Sequence, residues 1–187
     1  IDCVAPDLRA AGVRLALHPN DPPSDANLGG VPCLIRSVDD YERAFSFAPP
    51  DVLGMELCCG CWLEGGAAFG DPGKAVARFV AERRVLIVHF RNVTAPLPNF
   101  AETFLDNGYG SMPEILDALV DAGYRGSITP DHVPGLIEPY GSGASMAFAV
   151  GYIRGVLQHR ETSGLHAERS VQGRKPLPAA HENSDDR

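Results

Sequence analysis

The sequence predicts an α/β fold with a parallel sheet, because short apolar segments alternate along the chain with segments of helical character. Four segments are typical of buried strands: residues 13–17, 52–58, 85–89 and 126–130. Helices are predicted after them, over residues 37–47, 71–84, 111–123 and 144–159. A complete (β/α)8 or TIM barrel needs about 250 residues. The 187 residues therefore predict half of a TIM barrel, built from four consecutive strand–helix units.

In the first two units, turn and capping residues set the expected boundaries. The strand over 13–17 runs into His-Pro-Asn-Asp-Pro-Pro at 18–23, where the prolines exclude a helix. Ser37 is a typical N-cap for the helix that follows. After the second strand, the glycine-rich segment 60–70 predicts a loop. Asp71 then caps a helix with Pro72 at its first position, an order that helices favour.

The third and fourth units follow the same logic. The third strand is apolar and rich in β-branched residues, and a long loop is expected over 92–110. Ser111 and Glu114 have the spacing of a capping box, and the helix after them is expected to stop at Gly123. Residues 1–160 are thus predicted to form the barrel segment. Residues 161–187 are polar, without an apolar period, and predict a disordered tail.

Composition narrows the class of partner and the cellular setting. The net charge of −8 argues against nucleic acid or an anionic membrane surface as a partner. No apolar run reaches the roughly 18 residues that would span a bilayer. Five cysteines, three of them clustered, do not form a pattern typical of a disulfide framework, so we expect a reduced, cytoplasmic setting. The chain has neither an initiator Met nor a signal peptide, and we expect it to be a fragment whose N-terminal half is either upstream or absent.

A metal-binding side chain follows or ends each predicted strand. The four residues, in strand order, are His18, Cys58, His89 and Asp131. In α/β barrels the carboxyl ends of the strands form one edge, where active sites are built. Two imidazoles, a thiolate and a carboxylate suit Mn, Fe, Co or Zn better than Mg or Ca. The sequence therefore predicts a divalent-metal site at this edge.

Each of these residues also has a simpler interpretation. A histidine after a strand is often a hydrogen-bonded structural residue, and a buried cysteine is often a small hydrophobic side chain. Asp131 could form an Asx-turn after Pro130. Cys58 and Cys61 have C-x-x-C spacing, which is found in redox and zinc motifs. Against that alternative, a redox motif would open a helix, and Cys3 and Cys33 supply no second pair for zinc.

Several motifs in the same order along the chain resemble the mannonate dehydratase family. His-Pro-Asn-Asp-Pro-Pro (18–23) with Leu-Gly-Gly-Val-Pro (28–32) resembles the family signature H-P-D-D-P-P…G-x-P. Further similar segments are Leu-Cys-Cys-Gly-Cys (57–61), Val-His-Phe-Arg-Asn (88–92), the block from Phe100 to Met112, Pro-Asp-His (130–132) and Gly-Tyr-Ile-Arg-Gly (151–155). The likeness spans about 14–158.

The resemblance implies a metal-dependent barrel related in fold to xylose isomerase. Its expected reaction is that of a lyase in glucuronate catabolism: D-mannonate becomes 2-keto-3-deoxy-D-gluconate and water. It also implies Mn²⁺-type ligation, with Fe²⁺, Co²⁺ or Zn²⁺ as alternatives, by His18, Cys58, His89 and Asp131. This is the set that the strand ends predict independently.

Dehydration also needs a base for the C2 proton, an acid for the departing C3 hydroxyl and contacts to the substrate. His132 is the first candidate for the acid or the base. Arg91 is a candidate for pairing with the substrate carboxylate, and a surface salt bridge is its alternative. Asp21 either binds a sugar hydroxyl or holds the 18–23 loop. Tyr140 is a candidate for protonating the leaving group, although residues 141–147 depart from the family motif.

The family block that ends at Met112 usually carries acidic residues, where this chain has Tyr109 and Ser111, so its substrate range is open. Two other functions are also open. One is a sugar isomerase or epimerase on the same type of barrel, and the other is metal binding without catalysis. Because half a barrel has open sheet edges, we expect a homo-oligomer or poor solubility from the isolated chain.

Overall fold

The computed structural model describes residues 1–27, 29–137 and 141–172. Its helices are α1 (Ala5–Ala11), α2 (Val38–Phe45), α3 (Cys59–Gly65), α4 (Pro72–Ala81), α5 (Met112–Asp121) and α6 (Gly141–Gln172), with a 3₁₀ turn at Gly66–Ala68. Its strands are β1 (Leu15–Leu17), β2 (Leu53–Cys58), β3 (Val85–His89), β4 (Asn92–Val93), β5 (Glu102–Thr103) and β6 (Ser127–Thr129). The chain divides into a compact unit, Ile1–Ile153, and a second unit from Arg154 onward that includes the rest of α6.

Four strands form one parallel sheet in the order β1-β2-β3-β6, as the alternating sequence predicts. Leu15 to Leu17 pair with Leu53 to Met55, and Cys58 lies opposite His89. His89 in turn lies opposite Thr129, so the carboxyl ends of β2, β3 and β6 are level with one another. This register brings the residues that follow the strands to one edge of the sheet.

An aromatic cluster packs helices α2 and α4 together. Tyr41 and Phe45 of α2 contact Phe79 of α4, with ring centroids 6.3 and 5.5 Å away. Tyr41 is fully buried, and its hydroxyl donates a hydrogen bond of 3.0 Å to the carbonyl of Leu17 at the end of β1. This bond satisfies a buried polar group and ties α2 to the strand that precedes His18.

The helix caps agree with the sequence at two of three positions. The Ser37 hydroxyl accepts from the amide of Asp40, and the Asp71 carboxylate accepts from the amides of Gly73 and Lys74. Ser111, expected to form a capping box, makes no side-chain capping bond. Its helix begins with Met112 and Pro113, and the proline has no N–H to be capped.

The structure corrects two of the expected loops. Residues 60–65, expected to lie in a loop, belong to α3, which begins at Cys59. Cys58 already has the extended conformation of an N-cap, and the glycines do not interrupt this short buried helix. The expected loop 92–110 contains an antiparallel ribbon, in which β4 pairs with β5. Apolar periodicity does not detect two-residue strands.

Helix α6 extends beyond the predicted helix over 144–159 and reaches Gln172. Residues such as Glu161, Ala167 and Arg169 are good helix formers, and a polar segment can extend a helix that is already nucleated. Residues 173–187 lie outside the described part, and the predicted domain division stays a prediction. None of the helices in the described ranges combines the length and the hydropathy needed to cross a bilayer.

Candidate metal centre

Three of the four predicted ligands converge at the carboxyl edge of the sheet. His18 follows β1, Cys58 ends β2 and His89 ends β3, and one ligand atom from each lies within 4.8 Å of the others. The strands are adjacent and parallel, so residues 71 positions apart in the chain become neighbours. The arrangement follows directly from strand order and register.

The His18 ring is oriented by a hydrogen bond to its own chain. Its Nδ1 donates to the carbonyl of Pro19 at 2.7 Å, which leaves Nε2 as the ring nitrogen available for another partner. Histidines that bind metals usually donate their second ring N–H in this way. The neighbouring Cys58 sulfur raises the pKa of His18 to about 9 by accepting a hydrogen bond, so a metal would displace a proton from this ring.

Cys58 is fully buried, and its surroundings favour the thiolate. Hydrogen bonds from Cys61, His18 and His89 lower the pKa of the Cys58 thiol, and they outweigh the burial that would raise it. Cys58 also stands at the N-terminus of α3, where the helix dipole favours negative charge. The thiolate is the form of cysteine that binds metals.

His89 lies between two carboxylates. Its Nε2 contacts Oε1 of Glu56, and its Nδ1 lies 3.3 Å from Oδ1 of Asp131. Nevertheless, Nδ1 is buried and has no partner in hydrogen-bonding geometry among the described residues. The pKa of His89 is raised, chiefly by the nearby Cys58 sulfur and then by the charges of Asp131 and Glu56. A buried ring nitrogen without a partner is what a site lacking its ligand would present.

Asp131, the predicted fourth ligand, lies beside the other three but outside their close cluster. Its Oδ2 accepts a hydrogen bond of 3.1 Å from Nε of Arg91, while Oδ1 faces His89. The side chain is largely buried. Asp131 therefore has one oxygen held by arginine and the other directed to the candidate centre.

Arg91 is a buried hub and not a surface residue. Its side chain is only 1% exposed, and each nitrogen has an acidic partner. Nη1 donates to Glu64, Nη2 donates to Asp21 at 2.8 Å, and Nε donates to Asp131. The alternative of a surface salt bridge does not describe this residue. With its N–H groups engaged, the guanidinium is poorly placed to receive a substrate carboxylate.

Asp21, Cys61 and Glu64 form a second group with metal-ligating atoms within 4.8 Å. The Arg91 guanidinium already neutralises this group, and Nη2 also contacts the Cys61 sulfur at 3.5 Å. Glu64 is completely buried, and that burial raises the pKa of its carboxyl despite the attraction of Arg91. We therefore interpret the second group as an arginine site, in which Asp21 holds the 18–23 loop.

Of the two predicted proton-transfer residues, His132 and Tyr140, the structure describes only His132. His132 is 53% exposed at the edge of the centre, with Nε2 3.7 Å from Oδ1 of Asp131. Its Nδ1 donates a hydrogen bond of 2.6 Å to Glu102, and this bond is the main reason why the pKa of His132 is raised. Tyr140 lies outside the described residues, so its role stays a prediction.

Sequence reasoning missed three acidic residues of the site: Glu56, Glu64 and Glu102. Glu56 had a detectable signal, since it is the one charged residue in an otherwise apolar strand and lies two positions before Cys58, on the same face. Glu64 lay in a supposed loop, and Glu102 reaches the site through a ribbon that the sequence does not reveal.

The residues present fit a bound divalent cation. The donors are two nitrogens, a thiolate and a carboxylate, a set that suits Mn, Fe, Co or Zn. Five acidic side chains lie in or next to this centre: Asp21, Glu56, Glu64, Glu102 and Asp131. Within the described ranges, Arg91 is the only arginine or lysine that forms an ion pair with any of them. A cation would offset this excess of negative charge.

The structure also bears on the C-x-x-C alternative. All five cysteines are free, and Cys58 and Cys61 flank the first turn of α3, so this pair does open a helix. One argument against a redox motif is thereby removed. Cys58 nevertheless faces His18 and His89, whereas Cys61 contacts Arg91. The geometry favours metal ligation by the first cysteine and support of the arginine by the second.

Comparisons with known proteins agree on one family. The sequence profile described as "D-mannonate dehydratase (UxuA)" matches residues 1–164. Among curated proteins, the mannonate dehydratase of Enterococcus faecalis is 31% identical over 137 residues, which cover 71% of this chain and 36% of that protein. The enzyme of Streptococcus suis is 31% identical over 138 residues, again 71% of this chain and 36% of that protein.

Solved structures show the same fold. The crystal structure of mannonate dehydratase from Streptococcus suis serotype 2 matches with a TM-score of 0.71 and 25% identity, covering 99% of this chain and 52% of that chain. A xylose isomerase domain protein from Alicyclobacillus acidocaldarius matches with a TM-score of 0.61 and 17% identity, covering 83% and 55%. This chain therefore spans about a third of the curated relatives and about half of the solved structures.

Proposed function

Because the chain belongs to the D-mannonate dehydratase (UxuA) family, we propose that it carries the metal-binding half of a hydro-lyase. The reaction converts D-mannonate to 2-keto-3-deoxy-D-gluconate and water. The observation that carries the proposal is the convergence of His18, Cys58 and His89 at the carboxyl ends of three adjacent parallel strands. These are the positions at which barrel enzymes place their chemistry.

His18, Cys58, His89 and Asp131 would hold the cation. His18 offers Nε2, Cys58 offers a buried thiolate, and Asp131 offers the oxygen that Arg91 leaves free. When bound, the metal supplies electrostatic stabilisation of the negative charge that develops on the substrate as the C2 proton leaves. Mn²⁺ or Fe²⁺ is our first choice, with Co²⁺ or Zn²⁺ as alternatives.

The chain's own residues would manage the protons. The C2–H bond breaks, the C3 hydroxyl takes a proton and leaves as water, and the resulting enol becomes the 2-keto acid. His132 is exposed at the edge of the centre, and its Nε2 faces that centre, so this ring is the candidate acid or base. The second proton-transfer group is then Tyr140, which is proposed from the sequence alone.

For Arg91 we propose a positioning role in place of the substrate contact that the sequence suggested. Its bonds to Asp21, Glu64 and Asp131 support a positioning role, in which it aims Asp131 at the cation. Asp21 correspondingly ties the loop that carries His18. Substrate carboxylate recognition then falls to the cation and to residues other than Arg91. A small sugar acid remains the proposed partner, and a cytoplasmic location the proposed setting.

Elemental analysis of purified protein tests the centre. In the full chain we expect about one Mn, Fe, Co or Zn per chain, lost in His18→Ala and in Cys58→Ala. Cys59→Ala is a matched control, because this neighbouring cysteine is equally buried and lies outside the cluster. Metal that persists in both site variants, or disappears equally from the control, would remove the proposed centre.

A mannonate dehydration assay then separates the remaining functions. Wild-type protein that binds metal and releases 2-keto-3-deoxy-D-gluconate supports the lyase. Metal binding without turnover of mannonate would leave either an isomerase of the same barrel type or a non-catalytic metal protein. The likeness to xylose isomerase domain proteins concerns the fold alone and does not favour the isomerase.

A further inference from the structure

Glu102 and His132 form a carboxylate–histidine pair at the edge of the metal centre. Oε1 of Glu102 lies 2.6 Å from Nδ1 of His132, although the two residues are 30 positions apart. Since a carboxylate only accepts, the proton of this bond sits on Nδ1. The second ring nitrogen, Nε2, lies on the side of Asp131, 3.7 Å from its Oδ1.

The backbone of Glu102 is held by a small, well-anchored ribbon. Strand β5 pairs with β4, with Glu102 opposite Val93. Next to this pair, the amide of Thr94 donates to the carbonyl of Ala101, and the amide of Ala101 donates to the Thr94 hydroxyl. The ribbon follows β3 directly, so it connects Glu102 to the strand that ends in His89.

One buried asparagine locks the ribbon to the loop behind it. Asn92 is 1% exposed, and its amide donates to the carbonyls of Leu105 and Gly110. Its side-chain oxygen accepts from the amides of Val93 and Gly110. A Cβ at Gly108 would lie 2.2 Å from the Asn92 amide carbon, so glycine is required for this close approach. A segment with this density of bonds can hold a side chain in one place.

The same oxygen of the Glu102 carboxylate also faces the arginine hub. Oε1 lies 3.5 Å from Nη1 of Arg91, the same arginine that orients Asp131. One guanidinium therefore contacts both a candidate metal ligand and the partner of the candidate proton-transfer residue. This juxtaposition gives Glu102 a fixed orientation in spite of its partial exposure.

We propose that Glu102 is a positioning residue, which holds His132 with the proton on Nδ1 so that Nε2 is the atom that exchanges a proton with the substrate. The inference rests on the proposed function only for the identity of the reaction. The tautomer and ring orientation are properties of the chain itself. A histidine whose second nitrogen is fixed by a carboxylate presents one defined nitrogen to its reaction partner.

Nuclear magnetic resonance of the full chain with ¹⁵N-labelled histidine tests the tautomer. At a pH where the ring is neutral, the His132 signal, identified by its loss in His132→Asn, should show a protonated Nδ1. In Glu102→Leu we expect the proton to move to Nε2, the tautomer that a free histidine side chain prefers in water. Glu102→Gln, whose amide oxygen can still accept, should retain the Nδ1 proton.

Kinetics on mannonate give the second readout. Glu102→Leu should lower kcat by about 10- to 100-fold with little change in KM, short of the loss of a complete acid–base catalyst, about 10²- to 10⁴-fold. Glu102→Gln should recover most of this loss. In a His132→Asn background, Glu102→Leu should have no further effect, because Glu102 acts through the histidine. Glu114→Gln, an exposed glutamate of α5, is the control.

The two proposals fail in different ways. Wild-type protein without mannonate turnover would refute the proposed function, while the histidine tautomer would still decide the role of Glu102. An unchanged His132 signal in Glu102→Leu would overturn the inference, even in an active enzyme. Equal losses from Glu102→Leu in the wild-type and His132→Asn backgrounds would overturn it as well.

Discussion

Replacing Arg91 by methionine should be among the most destabilising single changes in this chain. Methionine keeps much of the side-chain volume but removes the charge that Glu64, Asp21 and Asp131 share. Glu64 is completely buried, so no water reaches it when the guanidinium is gone. The variant would therefore leave an uncompensated carboxylate inside the protein, or force it to take up a proton.

The size of the effect follows from burial. Removing one partner of a buried ion pair costs about 3–5 kcal/mol of unfolding free energy. The exposed pair of Arg78 and Glu42 offers a matched contrast, since both side chains are nearly half exposed. Arg78→Met should cost about 0–1 kcal/mol, the range for surface salt bridges. The two arginines differ mainly in how far their acidic partners are removed from water.

Urea unfolding of the full chain, followed by circular dichroism, measures both variants. With a slope of about 3 kcal/mol per M, Arg91→Met should lower the midpoint by about 1 M or more. Adding Glu64→Gln to Arg91→Met should restore part of the loss, because a neutral amide costs less to bury than a carboxylate. Equal small shifts in Arg91→Met and Arg78→Met would refute the account of Arg91 as a buried hub.

Three further predictions concern packing, capping and assembly. Gly60→Ala should lower the free energy of unfolding by about 1–3 kcal/mol in a thermal or urea melt, because the new Cβ would lie 2.4 Å from the Arg91 guanidinium carbon. Gly73→Ala is the control, because its new Cβ would lie 3.4 Å from the Asp71 carboxylate, an ordinary contact distance. Ser37→Ala should cost about 1 kcal/mol, whereas Ser111→Ala, which removes no capping bond, should be nearly neutral; similar losses would contradict the assigned caps. The isolated 187 residues should be oligomeric or poorly soluble in light scattering, because the open edge of β1 borders an apolar groove of about 500 Å³; a monodisperse monomer would count against this expectation.

The strand ends show how much of the site local sequence can predict. Apolar segments locate the ends of β1, β2 and β3, with proline or glycine nearby in the first two, and parallel pairing brings those ends to one edge. His18, Cys58 and His89 could therefore be grouped without knowledge of any long-range contact. For such residues, position along a strand already specifies position in space, because strand order and register leave little freedom.

The partners of these residues were decided by tertiary structure. From the sequence, Arg91 is only a cation two residues after a strand end. In the structure its guanidinium is buried and bonds to the carboxylates of Glu64, Asp131 and Asp21, which lie 27, 40 and 70 positions away. Glu102 reaches His132 only because a two-residue ribbon, too short to leave a periodic pattern, folds back across the edge of the sheet. The backbone places a residue by local rules, whereas the direction and protonation of a long polar side chain depend on every charge packed around it. For this reason the sequence by itself determined the candidate ligands, and only the folded chain decided what orients them.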